Sequence, residues 1–239
     1  MLDRPSRTGV VAVRASEVVA GVRRFWFPGA DNNAFLISDA EATLIDCGPP
    51  GKGLPPEAFS GVRHVLVTHC HTDHTGRLAA VTAATGATVY GHAADATIIR
   101  TGAERPRGQA DAWLGRLLLS FAPRASKADA AAVHVEIHDR QELPAAGGIR
   151  CVSTPGHTGG HMSFLWPHRG GVLFVGDAAA NMFRRLNIAP INEDTVAARE
   201  SFAKLAGLEF ATACFGHGSP IRGRAASRFR RALERFAAR

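Results

Sequence analysis

Apolar residues fall in short runs along most of the chain, and their spacing switches between the two-residue period of strands and the three-to-four-residue period of helices. From Val10 to Cys47 the runs VVAV, VVAGV and FWF are strand-like, and AFLIS and ATLID flank Asp39-Ala40-Glu41 as a hairpin. GPPGKGLPP, beginning at Gly48, stops the last of these strands. The pattern then predicts a buried strand over 64–68, a helix over 77–85, a strand over 87–90 and a helix over 93–100. Residues 101–130 change character. Between two polar loops, 111–121 reads as an amphipathic helix carrying Trp113, Leu114, Leu117, Leu118 and Phe121. Strands resume over 133–137, 148–153, 161–166 and 171–175, a helix covers 195–205, and a last strand over 212–215 leads into the tail.

This order, β-rich then α and repeated, predicts an α/β (α+β) fold: a four-layer αβ/βα sandwich of two mixed β-sheets packed face to face, helices outside. With no composition break or linker, residues 1–239 read as one domain, with 101–130 as a candidate lid and 222–239 as a basic C-terminal helix. At 46% hydrophobic and 21% charged the chain is globular, not disordered. Its apolar runs are far short of a membrane span, and MLDRPSRTGV holds no signal core. Four scattered cysteines (Cys47, Cys70, Cys151, Cys214) do not make a disulfide scaffold, so a reducing cytoplasm is the expected location.

The net charge of +7 is concentrated at one end. Residues 222–239 hold seven arginines and one glutamate, which leaves the remainder nearly neutral. Phe229, Leu233 and Phe236 recur at i, i+4 and i+7, so the tail reads as a helix docked by its apolar stripe, its arginines in solvent. Without an accompanying set of aromatics, nucleic acid is disfavoured as a partner and a small molecule expected. The sequence leaves monomer and dimer open.

Eleven histidines are the unusual count. His69-Cys70-His71-Thr72-Asp73-His74 follows the strand HVLVT directly. In extended chain, residues two apart point the same way, so His69 and His71 can share an ion while Cys70 faces away. Asp73 and His74, at the turn into the next helix, can reach a second ion. Imidazole with carboxylate suits Zn²⁺ or a similar first-row metal. Three more strand ends carry candidates: His157 in TPGH, Asp177 after the wholly apolar VLFVG, and His217 between glycines in FGHG. A carboxylate at a buried strand end needs a cation or an ion-pair partner. Four such ends point to one shared edge. His64, His92, His134, His138 and His168 have no companions and read as ordinary core or surface imidazoles.

HCHTDH, TPGHTGGH, the GD after an apolar strand and FGHG resemble, in order, the successive motifs of the metallo-β-lactamase-fold hydrolase superfamily, and TPGH-T-x-GH is most similar to its glyoxalase II-like branch. The likeness runs from residue 32 to about residue 220. It implies that His69, His71 and His157 bind one metal, that Asp73, His74 and His217 bind a second, and that Asp177 bridges them. It further implies that Asp46, in LIDCG, and His161 support the site from outside the ligand set. Two divalent ions are implied, Zn²⁺ first and Fe or Mn as alternatives. Two ions 3.5–4 Å apart can lower the pKa of a shared water and hold it as hydroxide, with Asp73 orienting it and Asp177 joining the ions. The implied activity is metal-dependent hydrolysis of a small ester, thioester or lactone. A mononuclear-iron persulfide (sulfur) dioxygenase is the alternative, with β-lactamase and phosphodiesterase ranked below; true β-lactamases of the fold generally lack the bridging carboxylate. The chain ends 22 residues after His217, short of the glutathione-binding helical domain of glyoxalase II. The stretch 178–192, with Arg184 and Arg185, and the helix 111–121 are where substrate choice is expected.

Overall fold

The computed structural model describes residues 13–29, 31–39, 41–51, 54–103 and 128–237. The predicted helix 111–121, and with it most of the candidate lid, lies outside the described residues.

One sheet takes, in spatial order, β1 (Arg14–Val19), β2 (Val22–Phe27), β3 (Asn32–Ile37), β4 (Thr43–Ile45), β5 (His64–Leu66), β6 (Thr88–His92) and β7 (Val135–Ile137). Its first four strands pair antiparallel, and β5, β6 and β7 add in parallel. Parallel strands need crossovers. The crossover from β5 to β6 holds the short α1 (Thr72–Thr75) and α2 (Leu78–Thr85), and α3 (Ala93–Thr101) follows β6. The second sheet contains β8 (Glu142–Leu143), β9 (Ile149–Ser153), β10 (Met162–Trp166), β11 (Val172–Gly176) and β14 (Thr212–Phe215), ordered β14-β11-β10-β9-β8. Only β14 runs parallel to its neighbour, β11. Between them in sequence lie the hairpin β12 (Ala179–Met182) and β13 (Arg185–Ile188) and the helix α4 (Thr195–Ala206), and α5 (Ala225–Ala237) closes the fold.

Three apolar clusters explain the layering. Between the sheets, Phe35, Ile37, Ile45 and Leu66 of the first meet Cys151, Phe164, Trp166 and Phe174 of the second, with the Phe35 and Phe174 rings 5.6 Å apart. On the far side of the first sheet, Leu78 and Val81 of α2 and Ala96 and Ile99 of α3 cover Leu44, Val65 and Val89. On the far side of the second, α4 and α5 cover Leu173, Val175 and Phe215. Phe229 of α5 is fully buried, stacked on Phe202 at 5.1 Å and parallel to Phe215 at 6.1 Å. The predicted four-layer sandwich is therefore present, and the tail is a docked amphipathic helix. The pattern did not predict β8 or the β12–β13 hairpin. β13 alternates polar and apolar residues, Arg-Leu-Asn-Ile, but over four positions only, too short a run to stand out.

Among the described residues no helix is long and apolar enough to cross a membrane. All four cysteines are buried, and none forms a disulfide.

Candidate metal centre

The chemistry-bearing segments leave the C-terminal ends of β5, β9, β11 and β14, and these ends lie along one edge of the sandwich. Crevices at strand ends are where α/β folds place their ligands. From β5 the chain runs through Thr68 and His69 to His71, which is extended and precedes α1, and α1 then turns Asp73 and His74 inward. Asp46, just past β4 and held at φ 56°, fastens this segment. Its carboxylate accepts the Thr68 amide and hydroxyl at 2.8 Å each and the His74 Nδ1–H at 2.8 Å. At the other end, a side chain at Gly216 would overlap Asp177 and His74, so only glycine lets β14 deliver His217 beside them.

Seven side chains converge into two adjoining pockets. In the first, His71 Nδ1 lies 3.0 Å from His69 Nε2 and 3.0 Å from His157 Nε2. In the second, His217 Nε2 lies 3.1 Å from Asp73 Oδ2, and His74 Nε2 lies 3.6 Å from that same oxygen. Asp177 stands between them: Oδ2 is 3.4 Å from His157 Nε2 and 3.3 Å from His217 Nε2, and Oδ1 is 3.5 Å from His74 Nε2. His69, His74 and Asp177 are buried, whereas His71, Asp73 and His217 are partly open, so the centre is reached from their side.

The residues fit a bound cation. Three of the histidines engage an acceptor with the outward Nδ1: His157 with Ile191 O at 2.7 Å, His217 with Asp31 O at 3.1 Å, and His74 with Asp46. Those partners hold a proton on Nδ1, so the inward Nε2 is the atom that offers itself to a metal. Imidazole nitrogens and carboxylate oxygens then face one another, and Asp177 Oδ1 has no hydrogen-bond partner. Leaving a buried carboxylate oxygen unpaired is costly, and a cation at the focus of these donors removes the cost. The donors form three groups that could each hold an ion: His69/His71/His157, His69/His74/Asp177 and Asp73/His74/His217.

Electrostatics divides the pockets. Burial, then the neighbouring histidines, pushes His69 well below the usual histidine range, and burial with His157 pulls His71 down to about 3. Both are neutral imidazoles, ready to bind metal. Burial also opposes a charge on His74 and His217. For His74 it is outweighed by Asp73, Asp177 and Asp46, and the pKa rises to about 9. For His217 it is outweighed by Asp177 and Asp73, and the pKa is again well above the usual range. Burial would raise Asp73 and Asp177, but the same two histidines hold both carboxyls well below the ordinary carboxylate range.

The sequence profile of the Metallo-beta-lactamase superfamily matches residues 28–217, which contain every one of these groups. The chain belongs to the metallo-beta-lactamase superfamily. A probable metallo-hydrolase of Bacillus subtilis, YflN, is 30% identical over 211 residues, 76% of each chain. A hydroxyacylglutathione hydrolase of Anaeromyxobacter dehalogenans is 42% identical over 98 residues, 40% of this chain and 38% of that protein. One from Cereibacter sphaeroides is 31% identical over 196 residues, 79% of this chain and 63% of that protein. The chain thus matches less than two thirds of the length of either hydroxyacylglutathione hydrolase. In fold it is similar to a metallo-beta-lactamase family protein of Thermus thermophilus (TM-score 0.67, 23% identity, 93% of this chain and 81% of that one). It is also similar to a metallo-beta-lactamase of Cronobacter sakazakii (TM-score 0.63, 20% identity, 85% and 80%).

Around these seven side chains the structure adds residues that the sequence did not single out. Asp95, on α3 and buried, accepts the Cys70 amide at 2.9 Å, the Thr158 hydroxyl at 2.9 Å and the Gly160 amide at 3.1 Å. It therefore ties the loop of His69 and His71 to the loop of His157. Its signal was present: a carboxylate on the helix stripe of Ala96 and Ile99. Asn32 Nδ2 lies 3.1 Å from His74 Nε2 and 3.5 Å from Asp73 Oδ2, at the rim of the second pocket. His161 lies outside the three donor groups: its Nε2 accepts the Asp177 amide at 2.9 Å and its Nδ1 meets Thr154 Oγ1 at 2.8 Å. Cys70 packs into the apolar layer under α2 and α3. His64 pairs with Glu41, His92 caps α3 and His134 accepts the Val89 amide.

Proposed function

We propose that this chain is a metal-dependent hydrolase that uses two divalent ions, Zn²⁺ foremost, to cleave a small ester, thioester or lactone. One observation carries the reading: Asp177 is a buried carboxylate with histidine nitrogens of both pockets within 3.5 Å and one oxygen otherwise unsatisfied. His69, His71 and His157 would hold the first ion, Asp73, His74 and His217 the second, and Asp177 would serve both. The ions, when bound, supply Lewis acidity for the carbonyl and an activated water.

The chain's own residues supply position. Asp73, on the open side, orients the attacking water through its carboxylate. His161 fixes the Asp177 backbone, and Asp46 and Asp95 hold the two ligand loops. The relatives named hydroxyacylglutathione hydrolase favour a thioester among the candidate substrates. Residues 1–239 act as one domain on a small-molecule substrate, and the four reduced thiols agree with a cytoplasmic setting.

Purified protein tested against thioesters, lactones, phosphodiesters and a chromogenic cephalosporin decides the matter. Turnover of a thioester or lactone, abolished by chelation and restored by Zn²⁺, supports the reading. Oxygen consumption with glutathione persulfide by a protein holding one iron, and no hydrolysis, overturns it.

A further inference from the structure

Between α5 and the β12–β13 hairpin lies a groove of about 380 Å³ that none of the seven converging side chains lines. Five of its six lining residues are arginines: Arg184 and Arg185 from the hairpin, and Arg228, Arg231 and Arg235 from the helix, with Leu186 as the floor. The helical three recur at i, i+3 and i+7, so they form one stripe beside the face that α5 buries. Among the described residues none of the five makes an ion pair. Glu234, the carboxylate of α5, is not paired with any of them, and Glu209 is taken by Arg230 on another face.

Two of these arginines are held in place by the fold. Arg228 donates to Arg184 O at 3.2 Å, and Arg235 donates to Leu186 O at 3.2 Å and to Arg231 O at 3.3 Å. Each such contact uses one or two of a guanidinium's five N–H groups and leaves the others for a ligand. Like charges gathered in one groove repel, and an anion with several oxygens relieves this.

The hairpin tip adds a second feature. Phe183 and Arg184 both sit in the left-handed region, at φ 50° and 62°. A two-residue turn of this kind favours Asn-Gly, and a phenylalanine there is strained. The phenylalanine is also 97% exposed, the most open large apolar side chain among the described residues. Strain together with exposure next to an arginine groove marks a contact residue.

We propose that this groove binds a nucleotide carrying two or more phosphates, with the phosphates on the arginines and the base stacked on Phe183. Base stacking on an aromatic side chain tolerates any base, which suits a lone phenylalanine. A groove of this volume matches one small ligand. Strand-binding surfaces instead track many phosphates and offer a series of aromatic platforms. The proposal stands apart from the hydrolase reading, since no metal ligand takes part.

Calorimetric titration of the metal-loaded full chain with ADP, inorganic pyrophosphate and a 12-nucleotide single-stranded DNA tests it. ADP and pyrophosphate are expected to bind the unaltered protein. Arg228→Gln with Arg231→Gln should weaken both at least tenfold, and Arg185→Gln, whose side chain makes no hydrogen bond among the described residues, should weaken both several-fold. Phe183→Ala should weaken ADP and leave pyrophosphate unchanged. Failure of ADP to bind overturns the proposal. So does undiminished ADP binding by the arginine variants, which would place the nucleotide elsewhere. Tighter binding of the DNA than of ADP, with a steeper salt dependence, also overturns it and makes the face a strand-binding surface.

Discussion

The two pockets share Asp177 and the HCHTDH segment, yet they are built on opposite electrostatic plans. The first is three imidazoles with no carboxylate of its own, and burial keeps His69 and His71 unprotonated. The second places Asp73 against His74 and His217 and, without an ion, holds protons on both histidines. An ion entering the first pocket meets neutral donors. One entering the second must displace protons, but gains a carboxylate. Buried aspartates stand behind both pockets: Asp95 ties the first pocket's loops together, and Asp46 bonds directly to His74 of the second while reaching His69 only through Thr68. The lesson is that adjacent sites differ in affinity and pH response through the placement of two carboxylates, not through ligand number.

The largest effect should come from removing the shared wall. Asp177→Ala is expected to lose at least one ion and to lower turnover by about a thousandfold, since charge stabilisation by the ions amounts to several kcal/mol. Steady-state kinetics with metal analysis checks this, and a variant with both ions and full activity would break the comparison.

Next in size is the pH response. His74 titrates near 9 in the metal-free fold and His217 also lies above its usual range, so both are protonated at pH 7 and must lose a proton to bind metal. Affinity of the second pocket should therefore fall as pH drops, by up to about a hundredfold between pH 8 and pH 7, or tenfold per displaced proton. His69 and His71 are already neutral there, so the first pocket should respond far less. Competition titrations with a chelating dye at the two pH values read both constants. Equal slopes would contradict the division.

The supporting aspartates offer a finer test. Asp95→Asn should weaken the first pocket's ion and Asp46→Asn the second's, each by about 10–100-fold. Losses at the same site from both variants would show that the two supports are not separate. Smallest of all, Cys70→Ala should leave turnover intact and lower stability by about 1 kcal/mol, because the thiol lies in the apolar layer and not in the centre. An inactive variant would reopen a nucleophilic role.

How far the sequence foretold this follows from where each residue sits. The two sheets and their covering helices were legible because strands such as VLFVG are buried throughout, and the Phe229, Leu233 and Phe236 spacing gave the docking stripe of α5. The seven converging groups were legible because they follow strand ends within short motifs. Asp95 was only half legible: its place beside Ala96 and Ile99 marks a carboxylate turned inward, but two of the three groups it holds are backbone amides of other segments, which carry no sequence signature. The β12–β13 hairpin escaped for a related reason: its turn is Phe183-Arg184, where turn chemistry favours Asn and Gly.

The most direct test is the metal content of purified protein at pH 8, measured by mass spectrometry of the elements beside its Asp177→Ala variant. Two transition-metal ions per chain, reduced to one or none in the variant, is the predicted result. Protein without such metal after incubation with excess Zn²⁺, or a variant that keeps both ions, would contradict a carboxylate-joined pair of sites.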